Sequence, residues 1–416
     1  MQCAILIGGR GTRLGELVQN CPKPMLPVAG RPFVAHLIEN LARFGFEEFL
    51  LLSGYRSDVV QSYFENQPEV VRRFNLRVRV IAEPEALGTA GALRHARDFL
   101  APEFLLLNGD SLLDINVLDL STFPAKEPWL ARMALRQVPE ASRYGVVTLT
   151  PDASVSTMSV RPNSPGPGLI NGGVYWLRRE IVDAIPAGEC SLERTIFPTL
   201  AAQGLVRGKV YNGFFLDIGV PDDFQAAQSL MSAHRRPAVF FDRDGVLNHD
   251  DAYVHRSADF RWNEGAVAAI RQVNDCGWYA FVVTNQAGVA RGFYGEEEVM
   301  RLHQWMNLQL RPMGAHIDDF RYCPYHPDGS VARYAKASDW RKPNPGMVLD
   351  LIKAWPVDVA RSILIGDKDI DMQAAQRAGV ASRLYRDGSL ATLVQEELER
   401  RDPAGSAGRD NYARPG

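Results

Sequence analysis

Short apolar runs alternate with segments of helical period along most of this chain, and the alternation begins twice. The first series holds the runs Cys3 to Ile7, Phe49 to Leu52, Val78 to Ile81 and Phe104 to Leu107, separated by segments such as "FVAHLIENLARFG". Runs that short and that apolar fit strands covered on both faces, and parallel strands need helical crossovers. The second series opens at Ala238: strand "AVFF", helix "GAVAAIRQVNDCG", strand "YAFVVT", helix "EEEVMRLHQWMNLQL", strand "SILIG" and helix "IDMQAAQRAG". The fold class expected is α/β, with two doubly wound domains, each able to close a sheet of its own and the first sheet largely parallel. The short polar stretch "SAHRRP", Ser232 to Pro237, is the boundary, with proline immediately before the new strand. The domains are read as 1–232 and 238–392, joined by a linker over 233–237. A tail follows over 393–416, whose end from about Arg400, "RRDPAGSAGRDNYARPG", has the composition of disorder.

Two cores fit the 416 residues and the 46% hydrophobic content. The net charge is 46 − 49 = −3, and without a long basic run no nucleic acid partner is expected. Apolar stretches such as "FLLLS" and "FLLLN" are far shorter than a membrane span, and "MQCAILIGG" lacks the form of a secretory signal. No membrane association is expected, and the location expected is cytoplasmic. Cys3, Cys21, Cys190, Cys276 and Cys323 are odd in number with no Cys-x-x-Cys pair, so reduced thiols are expected.

"LIGGRGTRLGE" is a glycine-rich turn after an apolar strand, where backbone N–H groups can approach an anion; a plain tight turn is the alternative. Leu14 stands where a dinucleotide fingerprint needs its third glycine, and the P-loop lysine is missing, so hydride transfer is disfavoured. Arg13 and Lys23 supply cations for a triphosphate. Asp110 in "LLNGDSL" and Asp217 in "FFLDIGVPDDF" each follow an apolar run. Two carboxylates from separate strand ends suit a Mg²⁺ ion bridging phosphates, although a lone strand-end aspartate is more often a helix cap or turn residue than a ligand.

Taken together, "GGRGTRLGE…CPKPMLPVAGRP", "EPEALGTAGAL", "LNGDS", "LINGGVY" and "FLDIGVPDDF" resemble the sugar-phosphate nucleotidylyltransferases, specifically guanylyltransferases acting on D-glycero-D-manno-heptose 1-phosphate, over about residues 1 to 232. The resemblance implies a Rossmann-like α/β/α domain in which Gly8, Gly9, Gly11, Thr12 and Arg13 hold the nucleoside triphosphate and Lys23 contacts phosphate in the transition state. It also implies that Glu83, Gly88 and Thr89 line the base and ribose pocket, Asp110 and Asp217 hold Mg²⁺, and Gly145 and Asn171 contact the sugar. Guanine, and hence GTP, follows from the resemblance, since a Glu83 carboxylate accepts from the guanine amino and imino groups. Relatives carry Glu-Lys-Pro before "NGG", whereas here "VRPNSP" puts Arg161 in the place of a lysine that binds the sugar phosphate and Val160 in that of the acid. Arginine offers a planar fork rather than a point charge.

In "AVFFDRDGVLN" the side chains of Asp242 and Asp244 fall on the same side of an extended segment. One carboxylate can attack a phosphate while the other handles protons, provided a metal cancels the repulsion; a solvated turn is the alternative. Asp367 in "LIGDKDIDM", Thr284 after "FVV" and Lys342 in "RKPNPG" would complete a ring around a phosphate. The series "DRDGVLN…YVH…VVTNQAGVARG…RKPNPGM…IGDKDIDMQAA" resembles the haloacid dehalogenase-like phosphatases, in particular the D,D-heptose 1,7-bisphosphate 7-phosphatases, over about residues 237 to 392. The resemblance implies Asp242 as nucleophile through an aspartyl-phosphate, Asp244 as general acid and base, and Thr284 and Lys342 as phosphoryl stabilisers. It places Mg²⁺ on Asp242, the Asp244 backbone carbonyl and Asp367. Asp250, Tyr253, Asn285, Gln286 and Arg341 would contact substrate, and Lys368 would position acidic groups. Such phosphatases commonly bind zinc through three cysteines and a histidine, but here Tyr325, Ser338 and Trp340 replace all but Cys323, and His326 alone cannot complete a tetrahedral site. No structural zinc is expected, with Trp340 and Tyr325 packing the loop instead.

The two resemblances meet in one intermediate: a heptose 1-phosphate released by the second domain is the acceptor for the first. A hexose 1-phosphate nucleotidyltransferase fused to a histidinol-phosphatase-like domain is an alternative, as is a phosphatase regulated by a non-catalytic nucleotide-sugar sensor. Oligomeric state, the anomer at C1 and channelling are not readable from the sequence.

Overall fold

In this computed structural model residues 1–9, 11–123, 127–159 and 166–402 are described. The chain divides into two compact units, the first Met1–Ala233 and the second beginning at His234. Among the described residues no helix is long and apolar enough to cross a membrane.

In the first unit the apolar runs become β1 (Gln2–Leu6), β2 (Glu48–Ser53), β3 (Arg77–Ala82) and β4 (Glu103–Asn108). They pair in parallel in the order β4-β1-β2-β3. A two-stranded annex follows β4: β5 (Ser111–Asp114) will pair with a later strand. β6 (Ala131–Val138), β7 (Val146–Leu149), β8 (Val155–Ser159), β9 (Gly168–Arg178) and β10 (Val206–Val210) extend the sheet to nine strands. Here the expectation of a largely parallel sheet needs correction: β9 runs antiparallel to β4, β6 and β7, and β8 antiparallel to β7. β11 (Phe214–Asp217) pairs antiparallel with β5, bringing Asp217 opposite Ser111 and so beside Asp110. Helices α1 (Phe33–Ala42) and α2 (Gly88–His95) belong to apolar clusters on opposite sides of the sheet, and α3 (Pro221–Ala233) closes the unit.

The second unit holds β12 (Ala238–Phe241), β13 (Tyr279–Asn285), β14 (Asp319–Cys323), β15 (Ile363–Gly366) and β16 (Ala381–Leu384), all parallel in the order β14-β13-β12-β15-β16. Its helices are α4 (Ala266–Asp275), α5 (Glu296–Leu310), α6 (Gly346–Ala354), α7 (Asp369–Arg377) and α8 (Leu390–Arg401). Strand order reverses on either side of β12, so the loops leaving β12 and β15 part and open a crevice at their carboxyl ends. The acidic first turn of α5, Glu296 to Glu298, complements the helix dipole, and Glu298 Oε2 accepts from the Gly295 N–H at 2.9 Å.

Two boundaries differ from the sequence reading. Arg236, read as linker, is already part of the second unit: it is buried, its N–H donates to the Pro356 carbonyl at 3.0 Å and its guanidinium to the Tyr279 hydroxyl at 3.0 Å. The domain also does not end at 392, because Leu390, Val394 and Leu398 of α8 share a buried cluster with Ala269, Ile270 and Val273 of α4. A polar, charge-rich helix concealed this packing face.

Candidate functional site

In the first unit a cleft of about 530 Å³ opens at the carboxyl ends of β1 and β4. Gly8, Gly9, Gly11, Thr12, Arg13, Lys23, Glu83, Gly88, Thr89 and Asp110 all line it. Gly11 adopts φ +62°, a left-handed conformation that an L side chain rarely holds, and a Cβ there would meet Lys23 Cβ at 3.2 Å. Lys23 is buried and its Nζ lies 2.6 Å from Asp110 Oδ2. Asp217 Oδ1 accepts from the Gly219 N–H at 2.5 Å. Burial, and then the Asp110 charge, push the Asp217 carboxyl above its ordinary range against the opposing pull of Lys23. A carboxylate pair with one cation in reach is a donor set that fits a hard divalent ion.

Several residues of the first unit singled out in the sequence also hold one another or the backbone in place. The Thr89 hydroxyl donates to Glu193 Oε2 at 2.8 Å and accepts from the Leu192 N–H at 2.8 Å, so it joins α2 to the 191–193 turn. Glu83 Oε2 accepts from the Leu87 N–H at 3.0 Å, and burial pushes its carboxyl up. Asn171 donates to the Tyr175 hydroxyl at 2.7 Å and accepts from the Gly173 N–H at 3.0 Å. Neither Asn171 nor Gly145 is among the described residues that line the cleft. Arg161 and Val160 lie outside the described residues. Asn108, Glu189 and Glu193 line the cleft without having been singled out. Ser191 caps the turn that carries Glu193, accepting from the Arg194 N–H at 3.2 Å.

In the second unit, carboxyl-terminal strand ends place Asp242 after β12, Thr284 at the end of β13 and Asp367 after β15. Ligand atoms of Asp242, Asp367 and Asp371 lie within 4.8 Å of one another. Asp367 Oδ1 is buried without a hydrogen-bond partner, which suits a cation. Lys342 Nζ sits 2.8 Å from Asp242 Oδ1 and 2.6 Å from Asp371 Oδ1, and donates to the Val283 carbonyl at 2.9 Å. Burial raises the Asp242 carboxyl to about 7, assisted by the Asp371 and Asp244 charges and opposed by Lys342. Burial works against the charge of Lys342, but Asp242 and Asp371 outweigh it and hold the ammonium above its ordinary value.

Asp371 is the residue that sequence reasoning missed. It stands in "GDKDIDM", where its Oδ2 caps α7 by accepting from the Lys368 N–H at 3.1 Å, while Oδ1 faces Lys342. Lys368 reaches Asp250 at 3.0 Å and Asp367 at 3.4 Å, spanning two acids. Asp244 accepts from the fully buried Arg243 at 2.9 Å, from Asn248 at 3.0 Å and from Gln286 at 3.0 Å.

Of the residues expected against substrate, Tyr253 and Asp250 are exposed and Arg341 is half-buried, with its Nη1 donating to the Tyr325 carbonyl at 3.4 Å. Asn285 exchanges hydrogen bonds with the Lys342 backbone at 3.0 and 3.1 Å. Gln286 is buried, with its amide bonded to Asp244 and Thr284 and its carbonyl to Tyr294. The side-chain polar atoms of both are thus paired within the protein.

The donor set of the loop after β14 does not fit zinc. The Cys323 thiol, pushed up by burial, faces the Tyr325 carbonyl at 3.8 Å, and His326 Nδ1 accepts from the Asp328 N–H at 3.1 Å. Tyr325 packs on Tyr334 with ring centroids 5.9 Å apart, and the Tyr322 and Tyr334 hydroxyls donate to Glu296 at 2.7 and 2.5 Å. Trp340, expected to help pack this loop, has its ring beside Gly346.

Residues 3–233 match the nucleotidyl transferase family, and residues 339–406 the HAD-hydrolase-like family. The D-glycero-beta-D-manno-heptose-1,7-bisphosphate 7-phosphatase of Rhodopseudomonas palustris is 48% identical over 167 residues, which is 40% of this chain and 93% of that protein. The protein of the same name from Escherichia coli K12 is 41% identical over 161 residues, 38% of this chain and 84% of its own. HddC from Yersinia pseudotuberculosis is 29% identical, covering 55% of this chain and 99% of its own, with a TM-score of 0.49. The chain therefore belongs to the nucleotidyl transferase family through its first unit and, through its second, to the HAD-hydrolase-like family of the 7-phosphatases, two enzymes in one polypeptide.

Proposed function

We propose that the chain performs two consecutive reactions on one sugar. The second unit removes the 7-phosphate of D-glycero-D-manno-heptose 1,7-bisphosphate, and the first transfers GMP from GTP to the resulting heptose 1-phosphate, releasing pyrophosphate. One observation carries this reading: a unit 48% identical to a heptose bisphosphate 7-phosphatase, over 93% of its length, shares a chain with a nucleotidyl transferase. The product of the one is the acceptor class of the other.

In the phosphatase, the Asp242 carboxylate attacks the 7-phosphorus while the sugar oxygen leaves with a proton from Asp244. Asp244 then takes a proton from the water that attacks the aspartyl-phosphate, and Asp242 and inorganic phosphate are released. Thr284 and Lys342 hold the phosphoryl oxygens, and Asp250, Tyr253 and Arg341 face the sugar. In the transferase, Gly8, Gly9, Gly11, Thr12 and Arg13 bind the triphosphate, and an oxygen of the sugar phosphate displaces pyrophosphate at the α-phosphorus, with Lys23 beside the reacting phosphates. Glu83 Oε1 accepts from guanine, and Arg161 pairs with the sugar phosphate. Asp110 and Asp217 in one site, and Asp242, Asp367 and the Asp244 carbonyl in the other, would hold Mg²⁺, which would supply charge neutralisation at phosphate oxygens.

The test supplies each anomer of heptose 1,7-bisphosphate with Mg²⁺ and, in turn, each nucleoside triphosphate, and identifies the products by mass spectrometry. GDP-heptose with one phosphate and one pyrophosphate per sugar is expected. Phosphate release without any sugar nucleotide rejects the coupled reading.

A further inference from the structure

Tyr294 has no place in the chemistry proposed above, yet it is built into the phosphatase site from three directions. Its ring occupies the space above Gly288, where a Cβ would lie 2.2 Å from a ring carbon. The ring of His255, from the loop that carries Asp250 and Tyr253, stacks on it at 4.5 Å and 13°. Its hydroxyl lies 2.8 Å from Gln286 Oε1, and Gln286 Nε2 lies 3.0 Å from Asp244 Oδ2 and 2.9 Å from Thr284 Oγ1.

The direction of each bond follows from the chemistry of the groups. Asp244 Oδ2 accepts from both Arg243 Nη2 and Gln286 Nε2, so the amide edge of Gln286 faces it and the carbonyl edge faces Tyr294. The phenol then has one role left, that of donor, and burial keeps its proton in place by raising its dissociation to about 12. The remaining amide hydrogen of Gln286 points at Thr284 Oγ1, which becomes an acceptor on that side. The single hydroxyl hydrogen of Thr284 is thereby left for another acceptor, the role proposed for a phosphoryl oxygen.

We infer that Tyr294 is a positioning residue of the phosphatase: by anchoring Gln286 it orients the Asp244 carboxylate and leaves the Thr284 hydroxyl hydrogen free to donate to the phosphoryl oxygen. The inference rests on the proposed roles of Asp244 and Thr284. Without the phenol hydroxyl, the Gln286 carbonyl is a buried acceptor with no partner and the amide is free to turn, which reverses the bond to Thr284.

Tyr294→Phe keeps the ring over Gly288 and against His255 and removes only the donor. Phosphate release from the heptose bisphosphate is expected to lose about tenfold in kcat with KM within about twofold, the scale of a lost outer partner. In a Gln286→Ala background the same substitution is expected to be silent, because the hydroxyl acts only through that amide. Gln286→Ala alone is expected to lower kcat and leave KM in place, whereas a glutamine that touched the sugar would raise KM. Melting of the second unit is followed in the same preparations. An unchanged kcat in Tyr294→Phe, an equal loss in both backgrounds, or a loss that tracks the melting temperature overturns the inference. Wild-type turnover and its abolition by Asp242→Asn are measured first; if either fails, the proposed chemistry falls, and the positioning role with it.

Discussion

At Asp242 two requirements conflict. An attacking carboxylate must be ionised, but burial with Asp371 and Asp244 nearby raises this group to about 7 despite Lys342 at 2.8 Å. A divalent cation on Asp242 and Asp367 would favour the ionised form, so below that value cation and proton compete for the same oxygens. The sign is fixed: the protein without metal holds the proton below about 7, so Mg²⁺ must displace it there and need not above. Calorimetric Mg²⁺ titration is expected to show affinity that is level above pH about 7 and weakens by up to about tenfold per pH unit below it, with one proton released per ion. Affinity independent of pH from about 5.5 to 8 contradicts this account of the cluster.

Among the elements, α8 and the loop after β14 bear most on how the phosphatase unit stands. Leu390, Val394 and Leu398 are buried against α4, so the final helix belongs to the core although its outward face is a run of charges. Leu390→Ala is expected to destabilise the second unit by about 2–5 kcal/mol in urea unfolding, the range for emptying a buried leucine site. A change within about 0.5 kcal/mol, the ordinary surface range, would place the helix outside the core. The loop after β14 is tied to α5 through Glu296, which accepts from Tyr322 and Tyr334. A strong chelator is therefore expected to stop phosphate release by removing Mg²⁺ while leaving the melting of this unit where it was, and metal analysis to find far less than one zinc per chain. A stoichiometric zinc on Cys323 and His326 would refute that.

For the molecule as a whole, each unit holds its own acids and its own lysine: Lys23 with Asp110 in the first, Lys342 with Asp242 and Asp371 in the second. Asp110→Ala is expected to lower GDP-heptose formation by at least about 100-fold while phosphate release continues, and Asp242→Asn to do the reverse when heptose 1-phosphate is supplied. Loss of both activities in either variant would contradict two separate sites. What could be read along the chain were the features that repeat in register with it. Apolar runs such as "AVFF" and "SILIG" showed two strand-and-helix series, and glycine and aspartate placed just after a strand marked both sites, because a parallel sheet delivers its ligands at strand ends. The antiparallel limb, the buried face of α8 and the edge strand β14 were not legible, since their apolar residues acquire a side only when another element covers them. Asp371 was hidden for a related reason: in sequence it is one more acid at the start of a helix, and only the fold carries Lys342 to within 2.6 Å of it. Gln286 is the converse case. Its position beside Thr284 was visible, but whether its amide faces substrate or the carboxylate behind it depends on Asp244 and Tyr294, partners 42 and 8 residues away that only tertiary packing brings within hydrogen-bonding distance.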